Sequence, residues 1–259
     1  MRRVLMLAAL VCSFSGMARA FDVTGGHVGF QFGALSVNSA PLSGENTAVS
    51  GGVDMAFGPD FSLSVALNAM NPPILLGAGD ANVLSMQGTY QVSDAVALGV
   101  FADRYWARGS TFSTQIITHF GVEATAQIDP FSITAFVARG RNQVGVTSDA
   151  YGIDAGLTLD NGFDFSLFYR NEDVAGLTAR QYGVHMGYLI SRGSATPVYM
   201  TASVANADFT FGENRLFHLG ITIPLGNSRP KGARFFHRHS PEVDIFSYVG
   251  RDTSPCTCP

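Results

Sequence analysis

Five carboxylates, Asp54, Asp103, Glu123, Asp154 and Asp164, fall on the polar parity of alternating segments. They share that parity with Asn68, Arg170 and the imidazoles of His27, His119, His185 and His218. Opposite charges held across a narrow space create a field that orients dipolar solutes and biases ions by sign. The same groups can instead lock together in salt bridges and hydrogen bonds and fill that space. Ester hydrolysis is a third chemistry, because His119 and Glu123 lie on one face with Ser113 nearby, a loose base, acid and nucleophile set. No Gly-x-Ser-x-Gly elbow accompanies them.

A second set of charges has the other parity. Arg104, Arg139, Arg180 and Arg215 point away from the carboxylates, and Arg108, Arg141 and Arg170 lie toward the same segment ends. Planar guanidinium groups suit bidentate contact with phosphates and acidic sugars, and the simpler role is snorkelling at an interface. Cys256 and Cys258 form a Cys-Thr-Cys near the carboxyl end with no neighbouring His or Cys to complete a ligand set. No metal and no cofactor are expected.

The elements that must carry these groups are strands. From Val28 to Leu225, runs of about ten residues alternate apolar with small or polar side chains between turn signals. Rows such as Val28-Phe30-Phe32, Phe61-Leu63-Val65-Leu67, Phe163-Phe165-Leu167-Tyr169 and Phe217-Leu219-Ile221-Ile223 put apolar groups on one face. Short turn signals at 58–60, 93–94, 129–130, 160–162 and 191–196 interleave with longer loop-like segments at 38–45, 71–81, 107–110, 140–147, 171–177 and 206–213. That count predicts about 12 antiparallel strands with both ends of the chain on the short-turn side. Aromatics gather near both kinds of turn, Phe57, Phe61, Tyr188 and Tyr199 at one level and Trp106, Tyr151, Tyr169 and Tyr182 at the other, as in interfacial girdles.

The polar face decides between architectures. In a soluble sandwich the polar face meets bulk water and is rich in Lys and Glu, whereas this chain has a single lysine, Lys231, and 14% charged residues. An inner face of Ser, Gln, Gly and scattered Asp suits a confined lumen, so the expected fold is an all-β, transmembrane, antiparallel up-and-down β-barrel. No apolar run outside the first 20 residues is long enough for a membrane-spanning helix.

Those first residues read as an export signal, with Arg2-Arg3 before an apolar stretch and Ala18-Arg19-Ala20 as the cleavage site. The expected organisation is a signal peptide at 1–20, a barrel at 21–225 and a periplasmic tail at 226–259. Loss of Arg2, Arg3 and Arg19 from 16 basic residues leaves 13 against 20 acidic ones, which argues against a nucleic-acid partner. The tail has a basic start and a later acidic, aromatic segment, and is read as disordered, as a lumen plug or as a contact for a periplasmic partner.

The final strand, His218-Leu219-Gly220-Ile221-Thr222-Ile223-Pro224-Leu225, resembles the signal by which Gram-negative outer-membrane barrels are recognised for assembly, with Leu225 in place of the usual terminal aromatic. The mature pattern as a whole resembles small porins of Gram-negative bacteria. That resemblance implies short periplasmic turns, longer extracellular loops, the barrel-assembly machinery as a partner and passive diffusion of ions or small hydrophilic solutes. The lumen-lining set is then Asp54, Asn68, Asp103, His119, Glu123, Asp154, Asp164, Arg170, His185 and His218. Arg104, Arg139, Arg180 and Arg215 face outer-membrane lipids and lipopolysaccharide. A lipid A deacylase or phospholipase on a barrel, and a plugged barrel that contacts lipopolysaccharide, are the alternatives; a homo-oligomer is left open. A barrel of this strand number is narrower than porins of 16 to 18 strands, so only ions and very small solutes are expected to pass.

Overall fold

The structure is a computed structural model that describes residues 22–37, 40–71, 78–109, 114–174, 177–190, 197–209 and 212–226. The signal-peptide, tail and Ser113 readings and the turn expected at 191–196 lie outside the described residues, as do Cys256, Cys258 and the side chain of Arg108. Twelve strands follow in order: β1 (Asp22–Val37), β2 (Ala40–Phe57), β3 (Phe61–Asn71), β4 (Ala78–Ser93), β5 (Val96–Gly109) and β6 (Gln115–Ile128). The rest are β7 (Phe131–Asn142), β8 (Thr147–Thr158), β9 (Phe163–Val174), β10 (Leu177–Leu189), β11 (Tyr199–Phe209) and β12 (Gly212–Gly226). Each pairs antiparallel with the next, and β12 pairs with β1, so the sheet is a closed up-and-down barrel without a free edge.

The register sets the shape. Followed from partner to partner, the ladder that leaves Val37 passes through Asn214, Ala207, Gln181, Arg170, Gly152, Phe136, Glu123, Gly99, Thr89, Ser62 and Ala56. It returns to β1 at Asp22, the opposite end of the strand from which it started. A displacement that large tilts the strands by about 40° and gives a backbone diameter of about 24 Å at a strand spacing of about 4.8 Å.

Parity then does what the sequence predicts. Val28, Phe30 and Phe32 on β1, Val100 on β5, Phe120 and Val122 on β6, Leu167 on β9 and Leu219 and Ile221 on β12 are exposed outward, while His27, Gln31, Asp103, His119 and His218 between them are buried inside. Ring pairs mark both ends of the outer band: Phe57 with Phe61 and Phe163 with Tyr188 beside short turns, Tyr151 with Tyr169 at the far end. Tyr199 departs from the expected girdle. It is the in-register partner of the fully buried Thr222, alternates with the exposed Met200 and so faces inward.

The short turns at 58–60, 94–95, 129–130 and 159–162 fall where turn chemistry places them. The loop-like segments are the point of difference, because strand pairing continues through much of them. Ser43 to Glu45 pair with β1, Arg141 and Asn142 extend β7, Asp173 and Val174 extend β9, and Asn206 to Asp208 remain in register with β12. Polar residues read as loop because the outer row loses its apolar character there. The ladder itself needs only backbone groups, and past the apolar band it runs on.

Inside, bulky side chains lie against glycines of the adjacent strand. Phe101 faces Gly121, Phe136 faces Gly152 and Phe168 faces Gly183, each as a direct cross-strand partner. A Cβ on Gly121 would collide with the Phe101 ring, and one on Gly152 with the Phe136 ring. The missing side chain lets each ring lie sideways along the wall. Gly121→Val is therefore expected to destabilise the barrel by about 1–3 kcal/mol, read as a lower temperature for the heat-induced shift in gel migration. An unchanged transition would mean that Phe101 can leave the glycine at no cost.

Candidate functional site

The inner surface is sorted by strand. The imidazoles of His185, His218 and His27 come from β10, β12 and β1, while Asp54, Asp103, Glu123, Asp154 and Asp164 come from β2, β5, β6, β8 and β9. One arc of the inner wall thus carries imidazoles without carboxylates among the described residues, and the longer, acidic arc carries the five carboxylates together with His119 of β6. Arg170, only 1% exposed, stands on the acidic arc beside Asp154, with Nη2 to Oδ1 at 3.4 Å. Its guanidinium also lies 4.9 Å from the centre of the Phe168 ring. His185 stacks on that ring at 4.4 Å and 8°. Packing against both groups ties this part of the acidic arc to its imidazole neighbour.

Most of the predicted inner residues are engaged locally rather than gathered into one centre. Asp54 accepts from the Ser64 hydroxyl, and Glu123 accepts from the Gln87 amide. Asp103 is buried opposite His119 in the β5–β6 ladder, and Asp164 is buried opposite Gly187. The Ser203 hydroxyl lies 3.4 Å from Nδ1 of His218, and Asn68 is half-buried on β3. Among the described residues no three His, Cys, Asp or Glu side chains come together as a metal site.

The sequence reading missed a constellation around His119. Its Nε2 lies 2.9 Å from Oε1 of Glu172, from β9, and 3.4 Å from the Ser148 hydroxyl of β8. Glu172 is 1% exposed and spans from β9 toward β6 over the small residues Ser148 and Gly140. Tyr105 packs edge-on to the imidazole at 5.5 Å. The expected Glu123 is not the partner, because it lies four residues along β6 from His119 and bonds Gln87 instead. Ser148 and Glu172 both meet one nitrogen, whereas a nucleophile–base–carboxylate relay uses both nitrogens of the ring. The geometry is that of a polar clasp between non-adjacent strands.

Beyond the clasp the inner wall turns apolar. Ala81, Val83, Tyr105, Ile117 and Val174 form one buried cluster from β4, β5, β6 and β9, and Phe168, Ala179, Ala205, Ala207 and Leu216 form another across β9 to β12. Both lie toward the end opposite the short turns. Tyr105, Ile117, Val174 and Ala207 are at most 1% exposed. The other half is less filled: Asp54, Ser64 and Gln87 are half-buried, as are Thr125, Ser132 and Ser166. Side chains therefore pack more tightly along the inner wall toward one end, and polar and acidic residues are only half-buried toward the other.

The four rim arginines also fall where parity puts them, on the outer surface and exposed, on β5, β7, β10 and β12. Arg139 lies 3.8 Å from Asp149, with both side chains largely in the open.

A tilted, closed twelve-strand barrel with apolar residues outside and polar residues inside is the architecture of outer-membrane barrels. Solved structures of the same fold include the NanC porin, at 8% identity with a TM-score of 0.54 over 75% of this chain and 98% of that one. The KdgM porin gives 10% identity and a TM-score of 0.50 over 75% of this chain and 98% of that one. An outer-membrane channel from Pseudomonas putida F1 gives 9% and 0.51 over 81% and 98%. No family model and no curated protein match the chain. Identities this low define the fold and leave the solute to the chain's own inner residues.

Proposed function

We propose that the protein is an outer-membrane, porin-like channel that passes ions and very small hydrophilic solutes and prefers cations. The observation that carries this reading is the set of half-buried carboxylates inside a closed barrel, with Asp54 on β2 and Asp154 on β8 at its wall. Carboxylates confined between low-dielectric walls concentrate cations and repel anions. The tighter packing along the wall toward the far end narrows the passage, so the expected unit conductance is below that of wide general porins. Channels and porins as structural neighbours support this class over a hydrolase, and so does the sharing of one imidazole nitrogen by Ser148 and Glu172.

The test is single-channel recording of the refolded mature protein in planar bilayers, with heat-modifiable gel migration as the folding control. Discrete cation-selective steps are expected, and a folded protein without steps would refute the channel. Asp54→Asn with Asp154→Asn should move the reversal potential in a salt gradient toward zero. An unmoved potential would show that these carboxylates do not set selectivity.

A further inference from the structure

The outer wall of β5, β6 and β7 carries a cationic cluster that channel function does not use. Arg104 is the cross-strand partner of Thr118, and Thr118 is the partner of Arg141 on its other side. Arg139 sits next along β7, opposite Phe120. All three arginines are exposed. Asp149 is within ion-pair distance of Arg139, and among the described residues no carboxylate is that close to Arg104 or Arg141. Three guanidinium groups thus share one carboxylate.

Their height on the barrel identifies what they meet. Directly below them on the same face lie Val100, Phe120, Val122 and Val137, between 53% and 63% exposed. These side chains belong to the band that faces hydrocarbon, so the arginines stand at its upper edge, at the level of lipid head groups, and on the membrane side of the wall. Flanking β6 from both sides, the long arms of Arg104 and Arg141 can close on one group above Thr118, whose hydroxyl adds a donor. Cations in excess of their protein counter-charge at that level attract anionic lipid, and paired guanidiniums match the oxygens of a phosphate.

We infer that Arg104, Arg139 and Arg141 form a binding site for a phosphate group of the outer-leaflet glycolipid, lipopolysaccharide. The inference rests on the outer-membrane placement proposed above, with the end opposite the short turns outward. It selects β5–β7 from the whole rim because three arginines cluster there around a single carboxylate, Asp149, the cross-strand partner of Arg139, whereas Arg180 has a carboxylate partner of its own, Asp208, and Arg215 stands opposite Asn206 and Ser36.

The full mature protein, refolded in detergent and incubated with purified lipopolysaccharide, would be washed and examined for retained glycolipid by native mass spectrometry. Arg104→Gln with Arg141→Gln should retain at least about ten-fold less than the parent, as expected when charge-assisted phosphate contacts are lost. Arg215→Gln should retain as much as the parent. Enzymatically dephosphorylated lipopolysaccharide should bind the parent as weakly as the native lipid binds the double variant. Equal retention by parent and double variant, or of native and dephosphorylated lipid, would overturn the site. Equal retention of phosphatidylglycerol would overturn the glycolipid as its ligand. Conductance of the same samples separates the two proposals, because retention can fail in a protein that conducts and persist in one that does not.

Discussion

Tyr105→Ala is expected to raise the unit conductance of the reconstituted protein several-fold. Tyr105 is 1% exposed and joins Ala81, Val83, Ile117 and Val174 in the cluster packed on the inner wall toward the far end. Its ring also braces His119, which Glu172 reaches from β9. Truncation removes the largest side chain of the cluster and frees the clasp to move, so water and ions gain a path beside the wall. The substitution should cost about 3–5 kcal/mol of stability, as for other buried aromatics, which the backbone ladder of a closed barrel can absorb. Tyr105→Phe keeps the ring and should leave conductance near that of the parent. A folded alanine variant with unchanged conductance would place the limiting constriction elsewhere.

Val122→Arg should destabilise the membrane-embedded barrel by about 2–4 kcal/mol, while Val96→Arg, at the start of β5 beside a short turn, should cost about 0–1 kcal/mol. Val122 lies midway along β6, 53% exposed, between Val100 and Val137 on the adjacent strands. An arginine there has no water within reach unless it snorkels or thins the bilayer. Reversible unfolding in phospholipid vesicles measures both. Equal costs would mean that the outward apolar rows do not face hydrocarbon at different depths.

The parity of the strands was open to sequence reading because it is a local property. Val28 and Phe30 point one way and His27 and Gln31 the other whatever the rest of the chain does, and 58–60 or 160–162 turn because of their own Gly, Pro, Asn and Asp. The inner apolar residues obey the same rule. Phe101 and Tyr105 share the parity of Asp103, as Ile117 shares that of His119 and Phe168 that of Arg170, so counting by twos from the polar residues would have found the packed end. Their apolar character hid them, since the outer face supplied reason enough for every Phe and Ile.

The clasp was hidden for another cause. Glu172 and His119 are on β9 and β6, and only the tilt and closure of the whole sheet bring their tips together. No spacing along the chain encodes that distance. The loop-like segments were overread because Asn206 or Asp173 is polar in sequence for a reason that does not interrupt pairing: beyond the membrane a strand has nothing apolar to face.

The closing ladder sets Gly25 of β1 directly opposite Gly226 of β12, so the two ends of the barrel sheet lie side by side at the short-turn rim. Geometrically the cylinder has no first strand. A short tether from Gly226 to Asp22, with a new opening cut at 58–60, would rotate the order of the strands through two positions without altering any inner or outer neighbour. What such a rearranged gene would lose is the position of the His218–Leu225 stretch at the trailing edge of the sheet. Order along the chain and final shape are thereby separable in this molecule.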